Sequence, residues 1–391
     1  MDKVRFGIIG VGNMGSVHAQ YLFGGEINGA VLGAVCDISE KKRQWAREKF
    51  GEELPIFDDY KTLLNSGTCD VVLIATPHYL HPVIAIDAFN AGLNVISEKP
   101  VGVYTKAVRE MMEVAEKSGK EFGVMFNQRT NPIYRKMRDI VQSGQLGELK
   151  RMVWIITDWY RTQQYYDSGD WRATWSGEGG GVLLNQCPHQ LDLWQWIFGM
   201  PKYITAFCDY GKYHDIEVED DVTAYAKYES GATAVFITTT GECPGTNRLE
   251  ISGSKGKLVA EGSSLTWVKN EGDEREYCFA AKTGFDKLKT TKEVLTPEYD
   301  MLPQHKGITQ NFTNHLLYGE PLLASGYEGI NGLTISNSIM LSSWKNCTVE
   351  VGAPGNEDEF FAMLKEKIAT SRRKTTVAEE TVTDLSGTYN N

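Results

Sequence analysis

Val4-Arg5-Phe6-Gly7-Ile8-Ile9, then Gly10-Val11-Gly12-Asn13-Met14-Gly15, then a helix-forming run to Phe23: this stretch decides the fold. An apolar run of strand length enters a G-x-G-x-x-G turn and leaves as a helix. Gly10 permits the tight turn, Gly12 lets the main chain approach a pyrophosphate, and Gly15 lets helix and strand pack closely. The N–H groups around Asn13 and Met14 offer a phosphate site at the positive end of the helix dipole. Asp37 ends the second apolar run, about 20 residues beyond the last glycine, where a carboxylate holds the adenosine ribose hydroxyls. A carboxylate there repels a 2′-phosphate, so NAD is expected rather than NADP. The other reading is a ligand-free glycine turn, with Asp37 only capping the next helix.

Outward from this stretch, strands and helices alternate. Strands are expected at Val4–Ile9, Ala30–Cys36, Asp70–Ala75, Leu93–Ser97 and Phe122–Phe126. Helices are expected at Met14–Phe23, Ser39–Phe50, His78–Asn90 and Thr105–Ser118. Short, continuously apolar strands at this spacing imply a parallel sheet covered on both faces. Beyond residue 148 strand patterns follow one another directly, from Leu149–Trp159 to Leu265–Val268, with Gly-rich turns between several of them. Helices are expected at Val182–Phe198, Gln304–Tyr318 and Ile330–Trp344, the last packing back on the first domain. The fold class is therefore α/β: an N-terminal Rossmann doubly wound parallel sheet plus a C-terminal α+β domain with a large open, mostly antiparallel sheet. The expected divisions are residues 1–128, 129–355 and a C-terminal helix and polar tail, 356–391. In that last piece Phe360, Leu364 and Ile368 form one apolar stripe. It reads as a surface helix with a frayed tail, or as an arm clasping a partner subunit.

The 391 residues suffice for two or three domains with sizeable cores. Lys and Arg number 40 against 51 Asp and Glu, a net charge of −11, which argues against nucleic-acid binding. No apolar run reaches the ~20 residues of a membrane span, so no membrane partner is expected. The chain enters a strand at once, leaving no room for a signal peptide. Its seven cysteines are scattered, with no C-x-x-C pair. A cytoplasmic enzyme without disulfides or a metal is the expectation.

Three further clusters carry chemistry. Thr76-Pro77-His78 and His81 follow the third long strand, at the edge where doubly wound sheets bind ligands. Thr76 and Pro77 are expected against the cofactor. The two histidines would share a helix face near the nicotinamide; a metal pair is the weaker alternative. Glu98-Lys99-Pro100 ends the next strand. A lysine beside a cationic nicotinamide has reason to be perturbed and to relay a proton; the alternative is a solvated lysine near a turn. Gly179-Gly180-Gly181 opens the third cluster, in which Asn185, His189 and Asp192 fall on one helix face. His189 can accept an alcohol proton as hydride leaves the same carbon, and Asn185 can orient the hydroxyl; the alternative is a packed core histidine. Between the sheet's first strand and this helix, Trp154, Trp159, Tyr160, Tyr165, Tyr166, Trp171 and Trp175 are interleaved with Arg161, Gln163, Gln164, Asp170 and Arg172. Aromatic faces suit a pyranose ring and the polar groups its hydroxyls, with packing as the alternative. Tyr160, Arg161, Trp171 and Arg172 are the expected substrate contacts.

Taken together, Gly10–Gly15, Thr76-Pro77 with His81, Glu98-Lys99-Pro100 and the Gly-rich stretch with His189 and Asp192 make the chain resemble the Gfo/Idh/MocA oxidoreductases over about residues 4–350. The resemblance implies NAD as cofactor, Lys99 and His189 as catalytic residues, and Glu98 and Asn127 lining the cofactor. It also implies homo-oligomers formed through the C-terminal sheet. The family often has Asp where this chain has Asn185, and branches acting on sugar nucleotides or glycosides carry an Asn-Gln pair there. The expected activity is NAD-dependent oxidation of a secondary hydroxyl, at C3, of a carbohydrate or glycoside. A redox-neutral glycosidase passing through a keto-sugar, or a non-catalytic sugar sensor, are the alternatives.

Overall fold

The computed structural model describes residues 3–372. They form two compact units.

The first unit runs to Asn131 and is joined by Tyr299–Leu333. Its strands are β1 (Val4–Ile9), β2 (Ala30–Cys36), β3 (Ile56–Phe57), β4 (Val71–Ile74), β5 (Asn94–Ser97) and β6 (Phe122–Val124). All are parallel, in the order β3-β2-β1-β4-β5-β6. Val4, Phe6, Ile8 and the whole of β4 are shut off from solvent, as a sheet covered on both faces requires. The strand order reverses beside β1, whose Ile9 lies opposite Cys36 of β2 and Ile74 of β4. The glycine turn, Asp37 and Thr76 therefore share one sheet edge, at the switch point where such folds bind ligands.

The returning segment was expected to be the helix near 330–345. The segment that joins the first unit is Tyr299–Leu333, which carries the helix Gln304–Tyr318 and the first turn of the helix Gly329–Lys345. Tyr21 Oη lies 2.7 Å from Thr309 Oγ1, and the Val124 N–H donates to the Ala324 carbonyl at 3.1 Å. The helix Gly329–Lys345 has most of its length in the second unit, where Ser342 and Ser343 accept from the Ala206 and Cys208 N–H groups.

The second unit is built on β7 (Leu149–Ile156), β8 (Tyr203–Tyr210), β9 (Glu219–Lys227), β10 (Thr233–Thr239), β11 (Asn247–Gly253), β12 (Gly256–Glu261), β13 (Ser264–Asn270), β14 (Thr290–Leu295) and β15 (Val349–Glu350). The order is β14-β13-β12-β11-β7-β10-β9-β8-β15, antiparallel except where β7 and β10 run parallel. One face packs on the helix Pro188–Phe198, with Trp194 and Phe236 ring centroids 5.7 Å apart. The other face exposes Phe207 and Tyr225. Strand β14 had no signal in the sequence: it is an exposed edge strand, and its Thr-Thr-Lys-Glu start buries nothing.

Two helices start later than their patterns suggest. The first runs Leu80–Asn90, leaving His78 in the preceding turn, so His78 and His81 do not share a helix face. The second starts at Pro188, a residue suited to a first helical position, and leaves Asn185 in the turn before it. The C-terminal helix is Asn356–Thr370. Phe360 stacks on Trp344 with centroids 5.0 Å apart, and Lys367 Nζ lies 4.9–5.2 Å from the rings of Trp344, Trp175 and Tyr210. Phe360 and Leu364 of its stripe are buried and Ile368 is half-buried, as in a surface helix packed on its own unit. The expected frayed tail lies outside the described residues.

Candidate active site

In the first unit the glycine turn is shaped by close approach. Gly10 has φ +90°, and a Cβ there would stand 2.7 Å from the Ala75 carbonyl oxygen. A Cβ on Gly15 would meet the Gly10 oxygen at 1.8 Å, whereas Gly12 faces open space. Asn13 opens the helix and is exposed, with Met14 beside it. Asp37 accepts the Val11 N–H at 2.7 Å on one oxygen and the Ser39 N–H at 2.8 Å on the other. It thus ties the glycine turn to the end of β2, and each oxygen keeps a lone pair for a ribose hydroxyl. Ser39 stands at the helix N-cap but makes no capping bond with its side chain.

Two buried polar atoms at this end of the sheet, Thr76 Oγ1 and Asn127 Oδ1, have no hydrogen-bond partner among the described residues. Buried polar atoms are almost always satisfied, so these two fit a bound polar group. Pro77 follows Thr76 in the turn, with His78 beside it. His81 lies between the Thr76 carbonyl (2.6 Å) and the Pro100 carbonyl (2.7 Å), holding two loops together. Burial pushes its pKa down, outweighing those two bonds.

Glu98-Lys99-Pro100 follows β5, with the Lys99–Pro100 bond cis. Lys99 is half-buried and Glu98 buried. Glu98 accepts the Lys99 N–H at 3.2 Å, and its other oxygen lies 2.6 Å from His18 Nε2. His18 Nδ1 lies 2.5 Å from Tyr21 Oη. Burial alone would raise the Glu98 pKa; the His18 hydrogen bond and charge, with His305 and Lys99, outweigh it and hold Glu98 at about 2. Asn127 donates to Gln304 Oε1 at 2.6 Å, beside His305. Burial holds His305 at about 3. His18, Tyr21, Gln304, His305 and Thr309 were not anticipated: the first two lie beyond the glycine motif on the helix it opens, the others on a helix that gives no motif.

In the second unit the glycine-rich turn is clamped by Glu219. Its Oε1 accepts the Gly181 and Leu183 N–H groups at 2.8 and 3.1 Å, and a Cβ on Gly181 would strike the Glu219 carbonyl oxygen at 2.0 Å. Burial raises the Glu219 pKa to about 7. The turn leads to His189, buried in the first turn of the helix Pro188–Phe198. Asp192, one turn on, accepts from Gln195 at 3.0 Å. Asn185 donates to Glu178, whose other oxygen accepts the Ala173 N–H at 2.6 Å. A carboxylate is thus present beside Asn185, supplied by Glu178 from seven positions upstream.

The aromatic segment divides by burial. Trp154, Trp159, Tyr166 and Trp175 are core residues. Tyr160 is exposed, and Tyr165, Trp171, Arg161 and Arg172 are half-buried. Only the latter group offers surface to a ligand.

Residues 4–126 match the oxidoreductase family with an NAD-binding Rossmann fold, and residues 134–259 match the GFO/IDH/MocA C-terminal domain. The chain belongs to the Gfo/Idh/MocA family. As a Gfo/Idh/MocA protein it is an NAD-dependent oxidoreductase, and its first unit is the NAD-binding Rossmann domain. It is 27% identical to the myo-inositol 2-dehydrogenase of Thermotoga maritima over 271 residues, 68% of this chain and 77% of that one. It is 31% identical to the D-glucoside 3-dehydrogenase of Escherichia coli K12 over 203 residues, covering 51% of this chain and 55% of that enzyme. The WlbA dehydrogenase from Chromobacterium violaceum, solved with NADH and UDP-GlcNAcA, superposes with a TM-score of 0.77 at 26% identity, over 90% of this chain and 96% of that one. Among the described residues no helix is long and apolar enough to cross a membrane.

Proposed function

We propose that this Gfo/Idh/MocA protein oxidises a secondary hydroxyl of a sugar or glycoside, at C3, to a ketone. The observation that carries the reading is His189, a buried imidazole at the start of a helix, on the turn that Glu219 clamps and that carries Asn185. The names of the relatives, an inositol 2-dehydrogenase and a glucoside 3-dehydrogenase, support a cyclic polyol or sugar substrate.

NAD, when bound, accepts the hydride and its two electrons. Gly10, Gly12, Asn13 and Met14 would hold the pyrophosphate and Asp37 the ribose. Thr76, Pro77, His78, His81, Glu98, Lys99 and Asn127 would line the rest of its site. Asn185 would orient the substrate hydroxyl. His189 would take the hydroxyl proton as the hydrogen on the same carbon leaves as hydride, which leaves a neutral ketone and an imidazolium. Lys99 would assist by relaying a proton. Tyr160, Arg161, Trp171 and Arg172 would contact the substrate.

The test is a panel of monosaccharides and glycosides with NAD, followed at the NADH absorbance, with the product mapped by NMR. His189→Ala is expected to lower kcat by about 10²–10⁴-fold. Turnover of the best substrate close to wild type would remove His189 as the base.

The outer face of the second sheet, with Phe207 67% exposed and Tyr225 41% exposed, supports assembly of a homo-oligomer through this surface. Light scattering should show Phe207→Glu shifting the protein toward monomer; a wild-type monomer would end that reading.

A further inference from the structure

Arg161 and Arg172 differ from six other arginines of the chain. Arg5, Arg43, Arg47, Arg129, Arg248 and Arg275 each reach a carboxylate. Among the described residues Arg161 and Arg172 reach none, and are held by rings and oxygens instead. The Arg172 guanidinium lies 4.7 Å from the ring centroids of both Tyr165 and Trp171, and its Nη1 donates to Tyr165 Oη at 3.0 Å. The Arg161 guanidinium lies 5.2 Å from the same Tyr165 ring, and its Nη1 donates to the Tyr160 carbonyl at 3.0 Å. One phenol ring therefore gathers two cations.

The arrangement is anchored from behind. The Arg161 N–H donates to the Thr240 carbonyl at 3.0 Å. The Arg161 carbonyl lies 2.9 Å from His214 Nε2, and His214 Nδ1 lies 3.0 Å from the fully buried Asp220. Each guanidinium has five N–H donors, and among the described residues most of them are unused. Two half-buried like charges repel, and ring stacking offsets only part of that cost. Glu178 accepts from Asn185 and from the Ala173 N–H and makes no ion pair with either guanidinium. The position is also specific: Tyr165 Oη lies 3.4 Å from both Asn185 Oδ1 and Gln186 Nε2, on the turn leading to His189.

We propose that Arg161 and Arg172 recognise an anionic group on the substrate, a carboxylate or a phosphate, so that the sugar oxidised is a sugar acid or a sugar phosphate. Planar guanidiniums held in place by aromatic rings bind either oxyanion through paired N–H donors. The inference rests on the dehydrogenase reading above and narrows its substrate class.

The experiment compares three arms on the NAD-loaded enzyme: hexuronates, hexose phosphates and neutral methyl glycosides. One anionic arm is expected to exceed the neutral arm in kcat/KM by about 100-fold, the scale of charge-assisted bidentate recognition. Arg172→Gln and Arg161→Gln should raise KM for that arm by about tenfold or more, and by clearly less for the neutral arm, with the loss falling on KM rather than kcat. Arg172→Lys, which keeps the charge but loses the fork, should fall between. A neutral arm equal to or better than both anionic arms overturns the proposal, as does an equal kcat loss on every substrate in all three variants. Calorimetry with glucuronate and with glucose 6-phosphate separates this from the parent reading. Binding to wild type that Arg172→Gln abolishes supports the anion site even if no sugar is oxidised. No binding of either overturns the site even if neutral sugars are oxidised.

Discussion

His18 Nε2 lies 2.6 Å from Glu98 Oε1, so the first helix of the nucleotide cradle holds the carboxylate that accepts the Lys99 main-chain N–H. Both side chains are buried, and Tyr21 and Thr309 extend the chain of contacts behind His18.

The first prediction follows from that pair. The Glu98 pKa is depressed from 4.5 to about 2. Its contribution to stability is therefore fully present above pH 4.5 and lost as pH falls through 2; on this shift it is of the order of 3 kcal/mol. His18→Leu leaves the carboxylate buried without that partner and should cost about 3 kcal/mol at pH 7. In the variant, the loss on acidification should shrink or reverse, because without His18 burial raises the Glu98 pKa. Denaturant unfolding between pH 3 and 8 reads both effects, and unchanged midpoints would deny the pair any role in stability.

Asp37 makes the second test. Asp37→Asn keeps one oxygen acceptor for the glycine turn but removes the charge facing the ribose. NAD should bind about tenfold more weakly, the scale of one charge-assisted hydrogen bond, and NADP should be discriminated against less. Fluorescence titration with both dinucleotides measures this; equal affinities before and after would take Asp37 out of the ribose site.

Glu219 titrates with the opposite sign. Burial raises it from 4.5 to about 7, so the folded protein holds a proton that the unfolded chain has released. Stability should fall as pH rises from 4.5 through 7, by about 3 kcal/mol, and then level off. Glu219→Gln keeps an oxygen for Gly181 and Leu183 and should abolish that slope. A slope that persists in the variant must belong to another group.

Asn185→Asp would restore the residue frequent in the family but set it against Glu178. Two carboxylates at hydrogen-bond distance cannot both ionise cheaply. The variant should be less stable at pH 8 than at pH 5 relative to wild type. A pH-independent difference would show that Glu178 does not bear on position 185.

The glycine turn, the alternating first domain and Glu98-Lys99-Pro100 were legible because each is local: strand, turn and helix signals arrive in order within a few residues. Ala30–Cys36, Thr105–Ser118, Tyr203–Tyr210 and Gln304–Tyr318 have the bounds that their patterns imply. Less legible was the stretch from Val182 to Cys187. Its apolar content reads as helix, yet the N–H groups of Gly181 and Leu183 go to Glu219, and the helix waits for Pro188. That competition comes from β9, some 36 residues away in sequence.

The sequence by itself determined the dinucleotide cradle, the two-part architecture and the residue types available for acid–base work, because glycine spacing and apolar periodicity act over a few residues. Only the tertiary structure decided which charges keep company. His18 was brought to Glu98 across 80 positions and Gln304 to Asn127 across 177. Such pairings arise when distant segments are packed against one another, and burial then sets what each charge costs.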